Sequence, residues 1–218
     1  ADASIERLID KLREHKVEAV AVSLLHSYAN PVREQRLGER LQKAFRHVAL
    51  SHRVNPEARE FERGSTTALS AGVMPLIADY VDRLEESRPP SSRLHFFHSA
   101  SGMVAGSVIR ELPLGLALSG PAAGVTAAGR VARDIGADHA ISFDMGGTTT
   151  DACMILNGQA EISIDRSLGG RPLRMPAVAV ESIGAGGGSI ARYDGSVLQI
   201  GPDSAGASPG PACYGLGG

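Results

Sequence analysis

The chain has 218 residues, 43% apolar and 21% charged, enough to bury a core as one large domain or two small ones. Its net charge is −2 and its 22 basic residues are not clustered, which argues against nucleic acid or an anionic membrane as the main partner. No apolar run is long enough to span a bilayer, no signal-peptide pattern opens the chain, and Cys153 and Cys213 provide no disulfide framework. A reducing cytoplasm is therefore the expected compartment. The chain does not begin with Met and stops within Gly215-Leu-Gly-Gly218, which reads as a fragment of something longer.

Helix and strand alternate in the first part. Ile5, Leu8, Ile9 and Leu12 follow helical spacing, and residues 17–25 read as a buried strand. Asn30-Pro31 opens a helix carrying Leu37, Leu41 and Phe45 on one face, and residues 47–51 form a short strand. This βα pattern implies some parallel pairing. From about Ala58 to Glu86, Leu69, Val73, Leu76, Ile77, Tyr80 and Leu84 repeat at helix period, with Pro75 expected to kink or divide the segment. A domain boundary is placed between residues 1–57 and 58–218.

After a loop at residues 88–93, strands are expected at 94–97 and 114–118, then a helix from Gly120 to about Ile135. Asn157-Gly158 is a two-residue hairpin signal between strands 152–156 and 159–164. Residues 178–183 read as one apolar strand, and 190–193 with 197–200 as a hairpin around Asp194-Gly195.

The most informative stretch is Asp144-Met-Gly-Gly-Thr-Thr-Thr-Asp151, flanked by the strand-like runs 140–143 and 152–156. Gly146 and Gly147 permit a sharp turn that points successive N–H groups at an anion. Thr148, Thr149 and Thr150 add hydroxyl donors, and Asp144 and Asp151 are suited to a divalent cation, directly or through its waters. A plain hairpin is the alternative reading of the same pattern.

Two more glycine-rich segments stand out. Ile183-Gly-Ala-Gly-Gly-Gly-Ser189 lacks the following helix that a dinucleotide fingerprint requires, and no Walker-type motif occurs. It reads either as a glycine run admitting a flat base and ribose or as a turn. Ser119-Gly-Pro-Ala-Ala-Gly124 opens an amphipathic helix whose free N–H groups suit an anion, although such junctions are commonly structural. His95 and His98, three apart on a strand, fall on opposite faces, and Cys153 reads as a small buried residue.

Together these motifs resemble the A-type, ATP-binding subunit or domain of the hydantoinase/5-oxoprolinase family, which includes the ATP-binding subunit of acetone carboxylase. The matching blocks are residues 24–31, Glu60-Phe-Glu-Arg63, 118–124, 143–151, 183–191 and 201–214. The resemblance implies an α/β, actin/hexokinase-like (ribonuclease H-like) ATPase fold, with mixed sheets flanked by helices and ATP between two lobes. Residues 1–57 would end the first lobe and 58–218 would form the second. It further implies ATP-dependent opening of a hydantoin, N-methylhydantoin or 5-oxoproline ring, a B-type partner subunit or domain, and an oligomer.

On this carry-over Asp144 and Asp151 are the catalytic carboxylates, with Mg²⁺ on Asp144. Gly146, Gly147, Thr148, Thr149 and Thr150 hold the phosphates of ATP, and Gly184, Gly186, Gly187, Gly188 and Ser189 border the nucleoside. Relatives carry a second Asp-x-Gly-Gly-Thr hairpin near their N-terminus, whereas this chain has one. Ala179 and Glu181 stand where relatives often have an acidic residue and a histidine. A sugar- or acetate-kinase-like phosphotransferase and a nucleotide-binding module without turnover are the competing readings, the last being the expectation for these 218 residues alone.

Overall fold

The structure, a computed structural model, describes residues 2–168 and 170–218. Helix α1 (Asp2–Glu14) leads into β1 (Ala19–Val22), α2 (Val32–Gln42), β2 (His47–Leu50) and the single turn α3 (Ser51–Val54). The long α4 (Glu60–Ser87) precedes β3 (His95–Phe97), β4 (Met103–Ala105), α5 (Gly106–Glu111), a 3-10 turn over Pro113–Leu116, and α6 (Ser119–Asp134). Strands β5 (His139–Met145), β6 (Thr150–Leu156), β7 (Gln159–Ala160), β8 (Ile162–Leu168), β9 (Arg171–Val178) and β10 (Glu181–Ile183) follow. The hairpin of β11 (Ser189–Tyr193) and β12 (Leu198–Ser204) is the last strand pair. The elements fall into two compact units, one of residues up to 119 with 163–177, the other of 120–162 with 178–218. Among the described residues no helix is long and apolar enough to cross a membrane.

The first unit is built on a parallel pair, with Ala19 opposite His47 and Val22 opposite Leu50, joined through α2 as the βα pattern requires. Ile9, Val22, Leu41, Phe45, Val48 and Leu50 form its apolar centre. Gly38 of α2 lies so close to Leu50 that a Cβ there would sit 2.6 Å from Leu50 Cδ1. Helix α4 packs Ala71 and Met74 on Ala49, and further along Val81 meets Phe96 and Ile109. Pro75 does not divide α4, which runs unbroken for 28 residues. A proline within a helix removes one backbone bond, and tertiary packing along α4 outweighs that loss.

Beneath this core lies a buried polar cluster. The Glu34 carboxylate accepts hydrogen bonds from the backbone N–H of Leu24 (2.9 Å) and His52 (2.8 Å) and from the Ser51 hydroxyl (2.9 Å), and its Oε1 lies 2.8 Å from His52 Nδ1. The fully buried Arg63 donates to the hydroxyls of Ser27 and Ser51, to the Leu24 carbonyl at 2.9 Å and to Glu60. Its guanidinium also lies 5.6 Å from the centre of the Tyr28 ring. Two of the sequence blocks singled out above, residues 24–31 and 60–63, thus meet each other through Arg63.

Several expected elements differ. Residues 114–118 are not a strand: Pro113 starts a 3-10 turn, Leu118 takes a left-handed φ of 64°, and α6 begins at once. Proline at the first helical position sets a φ that favours this turn over extension. The apolar run 178–183 is broken, because the Ala179 N–H bonds to Glu161 and the Val180 N–H folds back on the Val178 carbonyl. The segment 159–164 divides likewise into β7 and β8. Asn157 and Gly158 form the expected turn, with left-handed φ of 52° and 69°. The pairing of β11 with β12 also appears as expected.

Burial alone would push the Glu34 carboxyl up, but the hydrogen bonds from His52, Leu24 and Ser51 outweigh it and hold the group below the ordinary carboxylate value of 4.5. Its stabilising contribution is therefore complete above the unfolded value and is lost as the pH falls through the lowered folded value. Glu34→Gln places an amide NH₂ against one of these donors and is expected to cost about 2–3 kcal/mol at pH 7. Urea midpoints of wild type and variant should converge as the pH is lowered below about 4.5.

Candidate functional site

The second unit centres on the sheet order β10-β6-β5, with β7 also on β6. Strands β5 and β6 pair in antiparallel register from His139 opposite Leu156 to Met145 opposite Thr150, leaving residues 146–149 as the connecting loop. Asp144 stands directly opposite Asp151, and Asp151 stands opposite Ser182 of β10. Directly paired residues project to the same face, so Ser182, Asp151 and Asp144 form a row across three strands. The Ser182 hydroxyl donates to Asp151 Oδ1 at 2.5 Å. Asp144 is exposed, and its carboxylate has no hydrogen-bond partner among the described residues. Like charges directly opposite each other repel, an arrangement that a bound cation relieves.

The loop is closed by the Gly146 N–H donating to the Thr149 carbonyl at 2.9 Å. The glycine run lies against it: the Gly187 N–H donates to the Gly146 carbonyl (2.9 Å) and the Gly188 N–H to the Gly147 carbonyl (2.8 Å). Each peptide unit is planar and trans, so its C=O and N–H point in opposite directions. Pinning the carbonyls of Gly146 and Gly147 therefore turns the N–H groups of Gly147 and Thr148 the other way. Those two amides and that of Thr149 have no protein partner among the described residues, and all three residues are exposed. The loop thus turns three free donors outward, an arrangement whose chemistry suits an anion.

The remaining threonine has a different place. Thr150 is 3% exposed, and its hydroxyl donates to the Ala185 carbonyl at 2.6 Å, tying the glycine run to the strand. The Ser189 hydroxyl accepts the Gly186 N–H at 2.8 Å, which shapes the run itself. A Cβ on Gly186 would lie 2.7 Å from backbone atoms of Gly146, Gly147 and Thr148, and one on Gly188 3.0 Å from the Gly147 carbonyl. At Gly186 glycine is required for backbone to meet backbone, and at Gly188 the fit is tight. Gly184 has open space around it.

Beside the carboxylates is a cleft of about 350 Å³ lined by Pro121, Gly124 and Val125 of α6 and by Ile141, Phe143 and Asp144 of β5, with Asp151 at its edge. All three glycine-rich segments of the sequence thus converge in one unit. Phe143 and Ile141 are 67% and 71% exposed, an unusual degree for large apolar side chains. Ser182 is the contributor that sequence reasoning missed, since only the β10–β6 register sets it beside Asp151. No cluster of three His, Cys, Asp or Glu suited to a metal occurs among the described residues. Cys153 is buried, as expected, and neither Cys153 nor Cys213 forms a disulfide. The donor set fits Mg²⁺ held by one or two carboxylates together with waters and phosphate oxygens.

The fold is mixed α/β, of small sheets and helices, and is similar to that of two solved structures. The crystal structure of the ATP-dependent caprolactamase from Pseudomonas jessenii matches with a TM-score of 0.83 and 38% identity, over 100% of this chain and 32% of that one. A nucleotide-free acetone carboxylase structure matches with a TM-score of 0.67 and 28% identity, over 94% of this chain and 30% of that one.

In sequence, residues 63–218 match the Hydantoinase/oxoprolinase family and residues 1–45 the Hydantoinase/oxoprolinase N-terminal region. The chain belongs to the hydantoinase/oxoprolinase family. It is 39% identical over 223 residues to the caprolactamase subunit alpha of Pseudomonas jessenii and 31% identical over 221 residues to a 5-oxoprolinase of Saccharomyces cerevisiae. It spans 32% and 17% of the lengths of these relatives.

Gly186→Ala should force the run off the loop at a cost of about 1–3 kcal/mol, whereas Gly184→Ala should be neutral within about 0.5 kcal/mol. Hydrogen exchange reads the difference: the Gly187 and Gly188 amides lose protection in the first variant and keep it in the second.

Proposed function

We propose that the protein to which this chain belongs is an ATP-dependent hydrolase of a small cyclic amide, and that this chain carries its polyphosphate-binding hairpin. The observation that supports this most directly is the set of three exposed, unbonded backbone N–H groups at Gly147, Thr148 and Thr149, adjoining Asp144 and Asp151 in register. Solvated amides on a rigid turn are pre-organised donors for phosphate oxygens. In this reading Gly146 and Gly147 supply the turn, and the hydroxyls of Thr148 and Thr149 add donors. Thr150 and Ser189 hold the loop in place from behind. Asp144 and Asp151 hold Mg²⁺, which supplies neutralisation of phosphate charge, and Ser182 keeps Asp151 oriented.

Gly184, Gly186, Gly187 and Gly188 form the border nearest the nucleoside, with Gly184 facing open space. The wider assignment is of one piece with this. An actin/hexokinase-like arrangement, with residues 1–57 closing a first lobe and 58–218 forming the second, would set a further phosphate hairpin opposite this one. The names of the relatives support the chemistry: one is an ATP-dependent caprolactamase, another a 5-oxoprolinase. Caprolactamase subunit alpha and the acetophenone carboxylase gamma subunit are each one subunit of an assembly, which supports a partner subunit here, of B type in this reading.

The full-length protein with its partner is expected to release inorganic phosphate in step with ring opening and to leave the ring closed without ATP. Asp144→Asn should lower that turnover by about 10²-fold through loss of cation and phosphate positioning. Ring opening at the same rate without nucleotide would refute the proposal. Accumulation of a stable phosphorylated product would assign the hairpin to a phosphotransferase instead.

A further inference from the structure

In the first unit β1 has one neighbour, β2, among the described residues. Successive residues of a strand direct their N–H and C=O groups to alternate edges, so half of the β1 backbone faces away from β2. Those groups have no protein partner among the described residues. Two-stranded sheets are not stable alone in water, and parallel pairs occur within larger, covered sheets. Natural edge strands are blunted by charge, proline or a bulge. Ala19-Val-Ala-Val22 has none of these and pairs with β2 in unbroken register.

Helix α4 carries a groove alongside this edge. Gly64 approaches Ser23, just past the end of β1, with its Cβ position 3.7 Å from the Ser23 hydroxyl, and Ala19 at the start of β1 packs on the Ala71 and Met74 cluster. One flank of α4, with Thr66 and Ser70, meets Val54 beyond β2. Gly64, Ala68 and Gly72 stand two positions from these, about 200° around the helix, on the opposite flank. Together with Phe61, Leu69 and Val73 they line a groove of about 940 Å³, whose lining also includes residues 170–172. From Gly64 to Gly72 the helix rises about 12 Å, and the four residues of β1 extend about 13 Å. Phe61 is 75% exposed and Leu76, one turn beyond Gly72, 67%. Leu69, Val73, Leu76 and Tyr80 repeat at the period of a buried helix face, yet Leu76 and Tyr80 are exposed and Leu69 and Val73 border the open groove.

Both features call for the same occupant. A row of unpaired backbone groups is met by extended backbone, and a floor of glycine and alanine receives apolar side chains that project from it at every second residue. We propose that β1 is an interior strand of the parent protein: an extended segment of the same polypeptide, outside these 218 residues, pairs with its open edge and lays apolar side chains into the α4 groove. A sheet that is incomplete without this strand needs it at high effective concentration, which a tethered segment supplies and a separate chain does not. The relatives have chain to provide it, since these residues span 32% of the caprolactamase subunit alpha and 30% of the acetone carboxylase chain. The inference does not depend on the nucleotide reading: it rests on other residues, and its test uses no nucleotide.

The test uses the full-length subunit alone, diluted until light scattering reports a monomer. Residue-resolved hydrogen exchange should show all four amides of Ala19–Val22 slowed at least about 10³-fold relative to the unfolded chain. In a Cys213→Ser background, the thiol of Gly72→Cys should react with maleimide at least about tenfold more slowly than that of Glu86→Cys, on the exposed last turn of the same helix. Gly72→Leu supplies a sign: on an open helix flank leucine for glycine raises the unfolding midpoint, whereas beneath a seated strand it should lower it by about 2–4 °C. Fast exchange at alternate β1 amides would overturn the proposal, as would equal labelling of the two thiols or a raised midpoint. Protection that appears only after a partner subunit is added, or only where the subunit dimerises, would overturn it too, by assigning the edge to another chain. Should Gly72→Leu not fold, exchange in the wild-type subunit decides the matter.

Discussion

Two backbone hydrogen bonds, from Gly187 and Gly188 to the carbonyls of Gly146 and Gly147, carry the organisation of the second unit. They turn a four-residue hairpin loop into a surface with a defined sense. With the carbonyls held by the glycine run, the intervening amides face outward, because a planar peptide cannot point both groups the same way. Gly186 makes the close approach possible, and Thr150 fastens the run from the strand side. The donors are therefore fixed before any ligand arrives, which is the condition for strong oxyanion stabilisation without reorganisation.

The same bonds reassign part of the glycine run. As sequence it reads as space cleared for a flat ligand, yet Gly186 and Gly188 are filled from behind by the hairpin itself. Absence of side chains serves backbone contact at these two positions and leaves open space at Gly184. The carboxylates follow a parallel logic. Antiparallel register sets Asp144 against Asp151, and the third strand adds Ser182, so the acidic pair is generated by sheet pairing rather than by spacing along the chain.

The first unit depends on a different kind of constraint. Glu34, Ser51 and Arg63 are fully buried, and their many mutual and backbone hydrogen bonds join α2, α3, α4 and the loop after β1. Burying charged groups is tolerable only when nearly every donor and acceptor is met, and that demand couples these elements tightly. Residues 24–31 and 60–63, two of the blocks that carry the family resemblance, supply part of this cluster.

Local chemistry was legible from the residues alone. Helical periodicity located α1, α2, α4 and α6, the Asn157-Gly158 pair announced its hairpin, and Gly146-Gly147 between strand-like runs announced the loop. These depend on neighbours within a few positions, where backbone preference and apolar spacing act directly. Strand limits at 114–118 and 178–183 were misread because an apolar run does not reveal where its backbone bonds go, and Pro113 and the Ala179–Glu161 bond settle that. Contacts across long separations were beyond such reading. That Gly187 meets Gly146, that Ser182 meets Asp151 and that Arg63 meets Ser27 follows from folding, since a hydrogen bond between distant residues leaves no periodic trace in the chain.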